Sequence, residues 1–198
     1  MAGPRRISGL LLAAGLSTRV GGGKLAETKD GLTLAQWSLK PLQALGLDSL
    51  VVVTAPGEAP RLFPGVEALT VVENRHPEDG LSSSLRLGLE ALPPASLTVL
   101  IALADMPRVR AETCQALLDA WRPDCVAVMP QCKGLPGHPV LADIRWAVRV
   151  ADSLPGDQGL GAVLKSLEDE VVRVDVPDTG VLFDVDTPDD LALWRGRS

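Results

Sequence analysis

Between residues 10 and 24 the chain reads LLLAAGLSTRVGGGK, an apolar run that opens into a loop carrying both glycines and cations. Gly15, Gly21, Gly22 and Gly23 bring no Cβ, so backbone N–H groups can come close to phosphate oxygens. Arg19 and Lys24 place positive charge where a polyphosphate needs neutralising. A second set of residues is acidic. Asp105 ends the apolar run VLIALAD, and Asp184 and Asp186 alternate in FDVDTP. Carboxylates facing a triphosphate are the donor set that Mg²⁺ takes, since it uses one or two of them together with phosphate oxygens. Gly80-Leu81-Ser82-Ser83-Ser84 opens a helix, and its hydroxyl and N–H groups can cap that helix or hydrogen-bond a base or ribose. Gly137-His138-Pro139 is a turn tripeptide holding one of two histidines, for which a structural role and a contact to substrate both stay open.

Two common nucleotide motifs are excluded by the residues themselves. A Walker A loop needs Ser or Thr after its Gly-Lys, and Leu25 follows Gly23-Lys24. The dinucleotide fingerprint needs Gly-x-Gly-x-x-Gly at the strand-to-helix turn, and Leu16-Ser17-Thr18 follows Gly15.

Stepping outward, 198 residues at 46% hydrophobic content can bury one substantial core, so a single domain over 1–198 is expected. A net charge of −6 argues against nucleic-acid or anionic-membrane partners. Cys114, Cys125 and Cys132 form no CxxC pair and read as free thiols of a reducing compartment. With no signal-peptide pattern and no long apolar span, the expected location is the cytoplasm.

Short apolar runs at 7–14, 50–54, 69–72, 97–102 and 125–129 alternate with helical patterns at 33–45, 81–92 and 111–121. This is the pattern of βαβ units, a mostly parallel sheet with helices on both faces. Further helices are expected at 143–151, at 159–167 and from Thr187 or Pro188 onward, with a strand at 171–176. Pro41 predicts a kink or break near Leu39–Lys40. In such sheets ligands gather at the carboxyl ends of strands, which is where the loop after residue 14, Asp105 and the 183–188 segment fall.

Taken together, LLAAGLSTRVGGGK, GLSSSLRLGL, LADMP, GLPGHPVL, GDQG and FDVDTPDDL resemble, in matching order over nearly the whole chain, the molybdenum-cofactor nucleotidyltransferases, and most of all the cytidylyltransferases. The resemblance implies a Rossmann-like α/β nucleotidyltransferase fold, with a nucleotide-binding part at about 1–110 and an acceptor-side part at about 111–198. It implies Mg²⁺-dependent transfer of CMP from CTP to a molybdopterin-type phosphate, with release of pyrophosphate. Arg19, Lys24 and Asp105 take the catalytic roles, and Asp105 binds metal with Asp184 or Asp186. The nucleotide is held by Leu12, Ala13, Ala14, Gly15, Ser17, Lys24, Gly80, Ser82, Ser83, Ser84 and Asp105, while Gly137 and His138 face the acceptor. Ala13-Ala14-Gly15 is similar to the cytidylyl version, whereas guanylyl members carry two glycines there. Gln158 and Leu160-Gly161 stand where the family has a lysine and an alanine-arginine pair. Another phosphorylated acceptor (a sugar or polyol phosphate), GTP as donor, and a non-catalytic carrier handing cofactor to a molybdoenzyme are the alternative readings.

Overall fold

The computed structural model describes residues 6–15, 23–167 and 169–196. Its first strand, β1 (Ile7–Ala13), is buried along its whole length. Successive side chains of a strand point to opposite faces, and here the alternation divides the core in two. Leu11 and Ala13 pack into one apolar cluster, Leu10 and Leu12 into the other.

After β1 the chain makes a short hairpin, β2 (Thr28–Lys29) and β3 (Leu32–Thr33), then α1 (Leu34–Gln43), β4 (Ser49–Thr54), a single turn α2 (Ala59–Leu62) and β5 (Thr70–Glu73). There follow α3 (Leu81–Glu90), β6 (Thr98–Leu103), α4 (Ala111–Ala120), β7 (Ala127–Cys132), β8 (Leu135–Pro136) and β9 (Val140–Asp143). The remainder is α5 (Ile144–Ser153), α6 (Gly161–Leu164), β10 (Val171–Asp175) and α7 (Pro188–Arg195). The main sheet has the order β10-β7-β9-β6-β1-β4-β5, with β8 hydrogen-bonded to β7. Pairs β1–β4, β1–β6, β4–β5 and β7–β10 are parallel; β9 alone runs against both its neighbours, β6 and β7. The mostly parallel α/β sheet expected from the pattern is therefore present, and β8 and β9, like the small β2–β3 hairpin, are strands that the pattern did not announce.

Helices α1 and α4 cover one face through Leu34, Leu39, Leu42, Cys114 and Leu117. Helices α3, α5 and α6 cover the other through Leu85, Leu89, Trp146, Ala147 and Leu164. Gly88 sets the depth of α3, because a Cβ there would meet Leu10 Cδ1 at 2.5 Å and Val53 Cγ2 at 3.0 Å.

Of the kink or break expected near Leu39–Lys40, the break does not occur: the helix α1 runs on through Pro41 to Gln43. Proline forfeits its own N–H bond and crowds the carbonyl one turn back, but Pro41 sits in the last turn, where the Ala44 N–H still reaches Lys40 O at 3.1 Å. Buried Leu39 and Leu42 on either side, with the reciprocal Thr33–Gln36 cap at the other end, hold the helix together. Among the described residues no helix is long and apolar enough to cross a membrane.

Candidate active site

The carboxyl ends of β1 and β6 open into a cleft of about 370 Å³. Its walls are Leu12, Ala14, Gly15, Lys24 and Leu25 on the β1 side, and Leu103, Ala104 and Asp105 on the β6 side. The segment 77–84 and Asp157 close the far end. Two backbone bonds draw three distant segments together here: Ala104 N–H donates to Leu12 O (3.0 Å) and Val185 N–H donates to Asp105 O (2.9 Å). The Ser38 hydroxyl on α1 donates to Ala104 O (2.8 Å), fixing the turn just before Asp105.

Lys24 begins a 3₁₀ turn immediately after Gly23, which is left-handed at φ 74°. The turn carries its side chain to the cleft wall, where Nζ donates to Asp105 Oδ2 at 3.0 Å and to Asp186 Oδ1 at 2.8 Å. Asp186 is held from the other side. Thr187 and Asp190 cap α7 reciprocally, and Asp190 Oδ2 also accepts the Asp186 N–H at 3.2 Å. The Lys24 side chain is only 8% exposed. Burial by itself lowers an ammonium's pKa, but the charges and hydrogen bonds of Asp105 and Asp186 outweigh it, and the net shift is upward. At Asp184, burial raises the carboxyl above the usual range, with the like charges of Asp186 and Asp105 adding to it and its own backbone N–H and Lys24 opposing. The residues that chain order separates by 162 positions thus form one cluster: Lys24, Asp105 and Asp186, with Asp184 within electrostatic reach.

At the other end of the cleft, Gly80 has φ 86° and ψ −171°, a conformation open essentially to glycine alone. A Cβ there would meet Gly156 C at 2.5 Å and Asp157 Oδ1 at 2.6 Å, so the 156–159 loop lies directly on the start of α3. The Ser82 N–H donates to Gly156 O (3.0 Å), which locks that contact. The three serines that follow Gly80 and Leu81 have different surroundings. Ser82 Oγ is buried without a hydrogen-bond partner, Ser83 Oγ donates to Gly80 O (2.8 Å), and Ser84 lines the cleft. Both Ser83 and Ser84 accept from the buried Asn74 amide, at 2.8 and 3.0 Å.

The sequence-derived set divides as follows. Leu12, Ala14, Gly15, Lys24, Gly80, Ser84 and Asp105 meet in the cleft, whereas Ala13 points to a neighbouring recess with Arg61 and Glu58. Ser17 and Arg19 lie outside the described residues. Gly137 packs against Val181, and the His138 N–H donates to Val181 O at 3.0 Å. The imidazole of His138 lines a water-sized internal cavity with Ser38, Leu42, Met106 and Val109 rather than the cleft, and its Nδ1 is shut away without a partner. Burial holds the His138 imidazole below its ordinary pKa, with nearby Asp105 pulling the other way. Asn74 and Asp157 carry site geometry that the sequence reading left without a role. Asn74 directly follows β5, so the strand-end rule applied to that strand points to it.

A divalent cation fits the Lys24 cluster on the chemistry of its donors. Asp105 and Asp186 already converge on one cationic centre with hard oxygens, and phosphate oxygens from the cleft complete the set Mg²⁺ prefers. Among the described residues no group of three or more His, Cys, Asp or Glu side chains is placed to hold a metal ion.

A parallel sheet with a nucleotide-sized cleft at its carboxyl edge, beside a lysine and paired carboxylates, is the layout of the α/β nucleotidyltransferases. Within that class the chain belongs to the MobA-like NTP transferase domain family, which matches residues 9–171. It is 28% identical over 194 residues to the nicotine blue oxidoreductase of Paenarthrobacter nicotinovorans, covering 91% of this chain and 92% of that protein. It is 26% identical over 191 residues to the molybdenum cofactor cytidylyltransferase of Escherichia coli K12, covering 95% of each. Among solved structures it superposes on Rv0371c of Mycobacterium tuberculosis with a TM-score of 0.83 at 26% identity, covering 96% of this chain and 98% of that one. A manganese complex of the same protein superposes with a TM-score of 0.78 at 25% identity, covering 96% and 98%.

Proposed function

We propose that this protein transfers CMP from CTP to a molybdopterin-type phosphate, with Mg²⁺, and releases pyrophosphate. The observation that supports it most is the Lys24 ammonium held between Asp105 and Asp186 at the wall of a cleft that begins at Gly15. The cleft is polarised along its length. Phosphates belong at the Gly15–Lys24 end, with Arg19 adding charge from the glycine loop, and the nucleoside belongs against Gly80 and Ser84. CTP as donor follows from Ala13-Ala14-Gly15 and from the similarity to a cytidylyltransferase.

In the reaction, an acceptor phosphate oxygen forms a bond to the α-phosphorus while the bond from that phosphorus to the bridging oxygen of pyrophosphate breaks. Asp105 and Asp186 would hold the metal, which when bound supplies Lewis-acid charge to the α-phosphate and the attacking oxygen. Lys24, released from one carboxylate as the triphosphate enters, places its ammonium against the charge that builds on the non-bridging oxygens. Asp184 adds negative potential beside the metal pair. Residues of the 1–110 part, closed by Asp157, hold the nucleotide, and the rest of the 111–198 part shapes the acceptor side, with Gly137 and His138 supporting the fold there rather than facing the cleft. No covalent enzyme intermediate is needed, because positioning and electrostatics carry the step.

The test is pyrophosphate release from CTP, GTP, ATP and UTP with Mg²⁺, with and without molybdopterin, alongside NADH oxidation as a control. Release from CTP that depends on molybdopterin supports the reading. Acceptor-dependent release only with a sugar or polyol phosphate moves the acceptor, and NADH consumption with no pyrophosphate overturns transfer altogether.

A further inference from the structure

We propose that Asn74 is a positioning residue that turns the hydrogen of the Ser84 hydroxyl away from itself, leaving Ser84 able to donate to whatever occupies the nucleoside end of the cleft. The inference rests on the reading of that cleft as a nucleoside triphosphate site.

It begins with a group that has no choice. The backbone N–H of His76 can only donate, and it donates to the Asn74 side chain at 2.9 Å, so that end of the amide is the oxygen. The amide nitrogen therefore faces the serines, donating to Ser83 Oγ at 2.8 Å and to Ser84 Oγ at 3.0 Å. Asn74 is 2% exposed, and its own N–H is tied to Thr54 O at 2.8 Å, so the amide has nowhere to turn. Ser83 passes its hydrogen on to Gly80 O and closes its chain. Ser84 accepts in the same way, yet among the described residues no acceptor takes its hydrogen, and Ser84 lines the cleft.

A free serine hydroxyl adapts to a donor or an acceptor. Here the amide takes one of its two acceptor positions and keeps the hydrogen turned away from Asn74, so the Ser84 hydrogen is available to an acceptor on a ligand. Ring nitrogens and carbonyl oxygens on the edge of a base are such acceptors. Asn74 touches no ligand and works through Ser84.

Binding of CTP and of inorganic tripolyphosphate, each with Mg²⁺, is measured by titration calorimetry for the wild type, Ser84→Ala and Asn74→Asp, with thermal unfolding as the check on folding. An aspartate at 74 can accept from the His76 N–H and from both hydroxyls, which keeps the network closed but draws the Ser84 hydrogen inward. It also adds charge, and tripolyphosphate, having no base, reports that effect separately. The expected result is CTP binding about tenfold weaker in each variant once the tripolyphosphate change is divided out, with no further loss in the double variant. An unchanged CTP-to-tripolyphosphate ratio in Asn74→Asp while Ser84→Ala loses CTP overturns the role of Asn74 and leaves the nucleotide site standing. An unchanged ratio in Ser84→Ala overturns the donor itself, and a wild type that binds neither ligand overturns the site as well. Should Asn74→Asp fail to fold, Asn74→Ser, which removes the amide hydrogens, is expected to show the same loss, and a wild-type ratio there overturns the proposal.

Discussion

Lys24 answers two demands at once. It neutralises Asp105 and Asp186 in the protein alone, and it lines the cleft. Removing one partner of a buried charge cluster leaves the others uncompensated. Lys24→Met is therefore expected to melt at a lower temperature in EDTA, and millimolar Mg²⁺ should restore it more than it raises the wild type. Scanning fluorimetry with and without the ion checks this, and equal Mg²⁺ responses would count against Asp105 and Asp186 as metal ligands. The same variant, and Asp105→Ala, should lose pyrophosphate release by a factor on the order of 10²–10³ while remaining folded. A folded Asp105→Ala protein with wild-type turnover removes Asp105 from the chemistry. At this scale the sequence shows residue types but not their pairing. The glycine-lysine loop and the strand-end carboxylates are visible as patterns, whereas the partner of Lys24 depends on the Val185–Asp105 backbone bond, which turns Asp186 toward the ammonium. Asn74 is harder still to see, because its importance lies in hydrogen bonds to side chains nine and ten positions away.

Among the elements, the joint between the start of α3 and the 156–159 loop decides the shape of the nucleoside end. Gly80→Ala forces a side chain into the Gly156 backbone from a glycine-only conformation, and such strain costs about 1–3 kcal/mol. The expected outcome is a lower melting temperature together with weaker CTP binding, and unchanged melting would show that the loop yields freely. The 137–139 turn gives a pH-dependent counterpart. Burial holds the His138 imidazole below its ordinary 6.5 against the opposing pull of Asp105. The unfolded chain then binds the proton more readily, so stability is fully present above pH 6.5 and is lost as the pH falls toward the lowered value. His138→Phe should flatten this part of the melting-temperature profile; an identical profile would show that another group sets it. The apolar runs of β1, β4 and β6 were legible because parallel strands buried on both faces need little polar relief. The strand β9 was not legible, since Val140–Asp143 leads directly into the amphipathic α5 and shares its apolar pattern. The short β2–β3 hairpin carries an Asp30-Gly31 turn with φ 51° and 78°, a strong local signal whose strands are only two residues each.

On the scale of the whole molecule, Cys114 and Cys125 lie in one of the two apolar layers and Cys132 is buried outside them, and all three are free. Burial pushes the Cys114 thiol up to about 12, with the charge of Asp178 adding to it. The native protein should therefore show almost no thiol reactive to Ellman's reagent at pH 8, and three on denaturation. Rapid native labelling would mean that the packing around one of them opens readily. The reversed direction of β9 has a broader consequence. A parallel neighbour after β7 would need a crossover of a dozen or more residues, but β9 is reached across the ligand edge through a two-residue turn, Lys133-Gly134, and a short tail. The 133–136 tip is thus replaceable, set apart from β1 and β6, whose carboxyl ends open into the cleft. Exchanging residues 133–136 for another hairpin tip should alter acceptor preference at constant CTP affinity, so that one scaffold can acquire new acceptors without rebuilding its energy-supplying half.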